Sequence, residues 1–118
     1  MELYTGQARE ALTPIEWIGD TLALVRSFSK PVRQKVGFEL EMVQHGIEPT
    51  AWKPMPMVGS GVSEIRVHVE GEYRVFYVAK FQHAVYVLHA FAKRTRKSPR
   101  AAIGLARAPI RKRFEWRV

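Results

Sequence analysis

One stretch of the chain, residues 61–97, is typical of three consecutive β-strand segments that lead into a basic cluster, and it constrains the fold more than any other. The segments are residues 62–69, 73–81 and 84–92. In the first, Ile65 and Val67 alternate with Glu64 and Arg66, and a period of two is typical of a β-strand with one buried face. Glu70-Gly71-Glu72 and Gln82-His83 offer turns between the segments. The sequence therefore predicts a three-stranded antiparallel meander.

The same patterns predict which side chains share a face, because a shift of one residue turns a whole strand over. A loop of odd length centred on Gly71 and a two-residue loop at Gln82 and His83 bring the apolar sides of the strands together. The predicted core face carries Ile65, Val67, Val69, Tyr73, Val75, Tyr77, Tyr86, Leu88 and Ala90. The predicted opposite face carries Arg66, His68, Arg74, Lys80, His89 and Phe91 beside Phe76, Val78, Val85 and Val87. Such a face is apolar at one end and cationic at the other, and could hold a polyanion.

The preceding residues predict one strand and two helices. Residues 14–18 are typical of a short strand, and Asp20 or Thr21 can cap the helix that follows. Pro31 is placed to begin a second helix, because proline is tolerated in a first turn, and Gly46 is a natural stop. The second helix has an apolar stripe that should cover the core face of the sheet: Val32, Val36, Leu40 and Val43.

The remaining segments complete the prediction of a single small α+β domain over residues 1–118. Residues 46–60 hold three prolines and two glycines, which predicts an irregular connection packed on the sheet edge. Ser98-Pro99 begins a third helix over residues 100–108, which Pro109 should end or kink. Residues 1–13 are predicted to be a loose lead-in, and residues 109–118 either a flexible tail or a further helical turn, between which the sequence does not decide.

The formal net charge of +8 is concentrated in the C-terminal quarter of the chain. Residues 93–118 hold ten Lys or Arg and one acid, a net of +9, so residues 1–92 sum to about −1. Such a concentration suits nucleic acid, an acidic protein or an anionic surface, although a solvated charged face would look the same.

Cysteine is absent, which agrees with a cytosolic protein, and four scattered histidines have no metal-ligand spacing, so we expect no metal or cofactor. No apolar run is long enough to span a membrane.

Three motifs in order resemble the RelE/ParE superfamily of toxins from type II toxin-antitoxin systems, most closely its phage-related, HigB-like branch. The first, at residues 61–66, is similar to that branch's Gly-x-x-Glu-Leu-Arg. The second is Tyr73-Arg74-Val75-Phe76-Tyr77, and the third is residues 87–99, VLHAFAKRTRKSP. The resemblance covers about residues 14–108, and it implies the RelE-like fold.

The resemblance also implies a ribosome-dependent mRNA endonuclease that is restrained by a cognate antitoxin, often of the helix-turn-helix type, and that needs no cofactor or membrane. An RNA 2′-hydroxyl attacks the adjacent phosphate while the ribosome holds the message in place. Arginines can stabilise the charge that builds on the phosphoryl oxygens. The expected catalytic residues are Arg66, Arg74, Lys93 and His89. The expected RNA-binding residues are Arg94, Arg96, Lys97, Arg100 and Phe91, the last by stacking on a base.

Each assignment has a structural alternative. Arg66 and Arg74 could pair with Glu64 and Glu72, His89 could be a hydrogen-bonded structural histidine, and Phe91 could be core under the third helix. The function also has alternatives, because the superfamily includes toxins that inhibit DNA gyrase without cutting RNA. A basic phage-related module with no toxicity would fit the same charge pattern.

Overall fold

The computed structural model describes residues 12–79, 83–94 and 99–113, with side chains described as far as Ala108. These residues form five strands and three helices. The strands are β1 (Ile15–Trp17), β2 (Trp52–Pro54), β3 (Val62–His68), β4 (Glu72–Val78) and β5 (Val85–Ala92). The helices are α1 (Thr21–Arg26), α2 (Lys30–Gln44) and α3 (Arg100–Arg113). The predicted α+β class is confirmed.

The five strands form one mixed sheet in the order β1-β5-β4-β3-β2. The meander β3-β4-β5 is antiparallel as predicted, β2 pairs antiparallel with β3, and β1 pairs parallel with β5. Between His68 and Glu72 the first hairpin has a loop of three residues, which confirms the odd length. Gly71 has φ +125° there, a conformation that glycine adopts without the steric penalty of a Cβ atom.

Helices α1 and α2 cover one face of the sheet. Pro31 lies in the first turn of α2, and Gly46, with φ +78°, follows its end, as predicted. The apolar stripe of α2 packs against the sheet residues Ile65, Val67, Val75, Tyr77, Val85, Val87 and Ala90. This layer is the main core of the protein.

One part of the predicted register is wrong. Phe76 pairs with His89, but the next residue, Tyr77, pairs with Val87, so Leu88 is an extra residue in a β-bulge. The bulge reverses the alternation in the first half of β5. Val85 and Val87 therefore lie on the helix-covered face and Tyr86 and Leu88 on the opposite one, whereas Ala90, His89 and Phe91 lie where predicted.

Helix α3 covers the apolar end of that opposite face. Ala102 and Ala106 pack there against Phe76, Val78, Tyr86 and Leu88. The helix continues through Pro109 to Arg113, so of the predicted alternatives an end at residue 108 is wrong and a further helical turn is confirmed as far as Arg113. Proline removes the hydrogen bond to the carbonyl of Leu105, a residue that is 60% exposed, and water can satisfy a carbonyl at an exposed position.

Two other predictions are corrected or fall outside the description. The connection at residues 46–60 contains strand β2, whose Trp52 pairs with Ile65 at the sheet edge. Residues 1–11, 80–82, 95–98 and 114–118 are outside the described residues, and so are the predictions for Lys80 and for most of the two ends of the chain. Within the described part of the chain, no helix is both long and apolar enough to cross a bilayer.

Candidate nucleic-acid interface

Arg66 and Arg74 lie directly opposite each other on neighbouring strands, as partners in the register of β3 and β4. This placement confirms that they share one face of the sheet. They differ in burial, because the side chain of Arg66 is 36% exposed and that of Arg74 is 7% exposed. The pair lies beyond the part of the face that α3 covers, and cross-strand partners are close enough for both to contact one small anion.

Both arginines contact the same carboxylate. Glu64 Oε1 accepts a hydrogen bond from Arg66 Nε at 3.1 Å and lies 3.8 Å from Arg74 Nε. The Glu64 side chain is only 1% exposed. Arg74 also donates from Nη1 to Glu72 Oε1 and to the carbonyl of Tyr73, both at 3.0 Å. The structural alternative for the two arginines, pairing with Glu64 and Glu72, is therefore present in the fold.

Glu72 extends this network to the hairpin end of the sheet. Its Oε2 lies 2.7 Å from His68 Nδ1. Hydrogen bonds from His68 and then from Arg74 lower the pKa of Glu72, so its carboxylate is ionised at neutral pH. The network thus alternates positive and negative groups along one face, and Arg74 is held in it at several points.

Arg66 is held differently. The Arg66 side chain contacts the described residues through one atom: its Nε donates a hydrogen bond to Glu64 and forms the ion pair with it. Its terminal nitrogens Nη1 and Nη2 are therefore not engaged by the described part of the chain. A guanidinium with two such donors and a partly exposed side chain can bind a phosphate through paired N–H groups. Of the two arginines, Arg66 is the better placed to meet a ligand.

His89 and Phe91 form an aromatic group beside the arginines. Their rings stack with centroids 5.6 Å apart, and Phe91 meets Phe76 edge-on at 5.4 Å. His89 is 9% exposed, and burial lowers its pKa although Asp20 opposes the shift. Its imidazole is neutral at pH 7. Phe91 is partly buried against the cluster under α3. This packing favours the structural alternative for both residues.

The expected basic flank is described in part. Lys93 is half-buried, and its N–H donates to the carbonyl of Glu72 at 2.7 Å, which places it at the end of β5 beside the arginine pair. Arg94 is exposed, and Arg100 is exposed at the first residue of α3. Arg96 and Lys97 lie outside the described residues. Of the described cations, Lys93 therefore lies beside the arginine pair, and exposed Arg94 follows it along the chain.

Sequence reasoning named Glu64 only as a pairing partner and missed its central position. The signal was present, since Glu64 and Arg66 are two residues apart on one strand and point to the same face. Its burial could not be read from that spacing, because it depends on the neighbouring strand and on the residues that cover the face.

The fold and this face together define a small α+β domain, consistent with the RelE-like fold, that presents a cationic face beside its C-terminal helix. A sequence profile for the phage-derived Gp49-like protein family (DUF891) matches residues 23–111. The chain belongs to this family, which is RelE/toxin-like. No curated protein and no solved structure matches it significantly.

Proposed function

We propose that this protein is the toxin of a type II toxin-antitoxin system of the HigB-like branch, and that it cuts mRNA on the ribosome. The observation that carries the proposal is the placement of Arg66 opposite Arg74, with the terminal nitrogens of Arg66 not engaged by described residues. Family membership supports a toxin-like role. The exposed cations Arg94 and Arg100 give the surroundings the charge that an RNA backbone requires.

In the proposed reaction, an RNA 2′-oxygen bonds to the adjacent phosphorus and the bond from phosphorus to the 5′-oxygen breaks. The 2′-hydroxyl loses a proton and the 5′-oxygen gains one. Arg66 stabilises the charge on the phosphoryl oxygens, and Arg74 supports it from the neighbouring strand. Lys93 is the preferred partner for proton transfer, because it lies at the end of β5 beside the arginine pair, whereas His89 is buried against Phe91. The ribosome supplies the alignment of the 2′-oxygen with the phosphorus.

The proposed partners follow from the same charge. The ribosome and its message present phosphates to the cationic face. A cognate antitoxin, of the helix-turn-helix type, restrains the toxin by laying an acidic segment over Arg66 and its neighbours, which blocks the face by charge and by shape.

The test is a cell-free translation reaction in which the 5′ ends of the message are mapped by primer extension. The wild-type protein should create new ends within translated codons, and a sample without ribosomes should show none. Arg66→Ala should reduce cleavage by about 100-fold to 1,000-fold, the usual effect of removing one donor to a developing oxyanion. Arg33→Ala is the matched control, because it removes an exposed arginine from α2 and should leave cleavage within about twofold.

Intact message under all conditions would contradict the proposal. Inhibition of gyrase supercoiling by the purified protein would then indicate the gyrase-directed class, and harmless expression without an antitoxin would indicate a non-toxic basic module. The gyrase assay should include Arg66→Ala, because a protein that inhibits gyrase by binding to it does not need Arg66 to hold an RNA phosphate.

A further inference from the structure

The cross-strand arginine pair has an electrostatic problem that Glu64 resolves. Two like charges directly opposite each other in an antiparallel ladder destabilise the pairing of the strands. Arg66 and Arg74 occupy such a position. Glu72 pairs with Arg74 at 3.0 Å, and Glu64, two residues earlier on β3, is the carboxylate that contacts both guanidinium groups and offsets their repulsion.

The burial of Glu64 makes this placement costly unless the carboxylate remains paired. Its side chain is 1% exposed, and an ionised carboxylate out of water is strongly unfavourable without compensating partners. A buried ion pair of this kind is weak evidence for stability, because an apolar replacement is often as stable. A role in placing the arginines gives a reason for a carboxylate at this position that fold stability does not.

The atoms in contact suggest what that role is. Glu64 Oε1 takes the Nε side of Arg66, at 3.1 Å, and lies nearest the Nε of Arg74, at 3.8 Å. A guanidinium held through Nε has its orientation set while both terminal nitrogens can still donate to another group. For Arg66, no described residue uses those nitrogens.

We infer that Glu64 is a positioning residue, which aims Arg66 at an RNA phosphate and keeps Arg74 beside it. The inference rests on the proposed nuclease function and deepens it. Glu64 is buried and does not itself touch RNA. It acts through the two guanidinium groups, and its negative charge opposes simple attraction of RNA to the face.

This opposition makes a role in positioning distinguishable from a role in stability. Glu64→Gln keeps the shape of the side chain and one acceptor oxygen but removes the charge. Cleavage in the translation reaction should fall at least about 10-fold because Arg66 is less firmly held. Affinity for a single-stranded RNA with a 2′-deoxy nucleotide at the cleavage site should stay equal or increase, because one negative charge is lost. Glu41→Gln, whose parent side chain is 63% exposed on α2, is the control with the same change in net charge.

A second measurement does not depend on cleavage. The Nε–H signal of Arg66 in ¹H–¹⁵N spectra should exchange slowly with water in the wild-type protein and clearly faster in Glu64→Gln. Added inorganic phosphate should shift that signal in the wild type, and Glu64→Gln should need at least about threefold more phosphate for half the shift, as expected when an oriented donor is lost.

The outcomes separate the two proposals. If the wild type cuts no message, the nuclease function fails, and the exchange and phosphate data still decide whether Glu64 aims Arg66. Unchanged Nε–H exchange and an unchanged phosphate response in Glu64→Gln would overturn the inference. It would also fail if cleavage and RNA affinity fell together, in proportion to a loss of folded protein measured by circular dichroism.

Discussion

The two faces of the sheet are built from different chemistry. On the face under α1 and α2 the sheet contributes apolar side chains, and Ile65, Val67 and Val75 are fully buried there. The other face is apolar only where α3 covers it. Beside that region it buries Glu64, at 1% exposure, and Arg74, at 6%. Strand β3 supplies both kinds of side chain from alternate positions.

This difference assigns separate tasks to the two faces. Apolar burial contributes stability roughly in proportion to area, at about 25 cal/mol per Å². Buried ions contribute little net stability and are costly to separate. The face under α1 and α2 therefore holds the fold together. The opposite face keeps Glu64 and the two arginines in place at a cost in stability. An apolar truncation on the first face should reduce stability most, removal of buried Arg74 from the second should reduce it less, and a change at the partly exposed Arg66 should mostly alter ligand binding or chemistry.

The largest expected effect on stability comes from removing a core side chain from the face under α1 and α2. Leu40 is 1% exposed in the stripe of α2, and Leu40→Ala should lower the free energy of unfolding by about 2–5 kcal/mol. Chemical denaturation measures this loss, and the phosphate response of Arg66 in the protein that remains folded should be unchanged. Phe38→Ala is the control on the same helix, because Phe38 is 51% exposed and its loss should cost about 1 kcal/mol or less. Equal losses of unfolding free energy in Leu40→Ala and Phe38→Ala would contradict the division of α2 into a face packed on the sheet and an exposed face.

The next effect separates the two arginines of the charged face. Arg74→Ala leaves buried Glu64 with one fewer cation and removes the hydrogen bond to Glu72. It should destabilise the protein by about 1.5–3 kcal/mol, as expected for the loss of a hydrogen bond to a charged group. Arg66→Ala should cost about 1 kcal/mol, since 36% of that side chain is in solvent and the pair is screened. Denaturation curves of the two variants decide the matter. If Arg66→Ala proved as destabilising as Arg74→Ala, Arg66 would be mainly structural.

The sequence predicted the two faces of β3 and β4 because polar and apolar residues alternate through β3 and through the first half of β4, as far as Val75. The prediction of faces failed in the first half of β5, because apolar or aromatic side chains occupy alternate and intervening positions alike: Val85, Tyr86, Val87 and Leu88. Periodicity cannot choose a face in such a run. The bulge at Leu88 decides it, since it places Val85 and Val87 in the core under α1 and α2 and places Tyr86 in the cluster under α3.

The other misses have a related cause. Strand β2 is three residues long and contains Pro54, so its own pattern predicts a loop, and it is a strand because β3 offers it an edge. The candidate site was predicted as far as the residues that share a face. Which arginine is exposed, and that Glu64 is buried between them, depends on contacts from neighbouring strands that no local pattern records.

A smaller effect concerns pH and the buried His89. Its folded pKa is lowered by burial, with Asp20 opposing, so the unfolded chain binds the proton more readily between the folded pKa and the ordinary value of 6.5. The stability that the neutral ring contributes is present above pH 6.5 and is lost as the pH falls through the folded pKa. The slope for one proton is at most about 1.4 kcal/mol per pH unit. His89→Leu should remove this slope while cleavage at pH 7 persists. Loss of cleavage in a folded His89→Leu protein would instead assign it a catalytic role.

The smallest expected effect tests the link between the helix layer and the tip of the β3–β4 hairpin. Ser29 precedes α2, and its Oγ donates to Glu70 Oε1 at 2.7 Å rather than capping the helix. Because both groups are exposed, Ser29→Ala should cost only about 0.5–1 kcal/mol. Ser27→Ala is the control, since Ser27 Oγ donates within its own helical turn, to the carbonyl of Leu24. A double-mutant cycle with Glu70→Gln should show coupling for Ser29 and none for Ser27.

Cleavage should be unchanged in all of these variants. The link supports the hairpin from the side of α2, whereas Arg66 is held by Glu64 on the opposite face of the sheet. A loss of cleavage with unchanged stability would mean that the orientation of Arg66 depends on the hairpin tip as well.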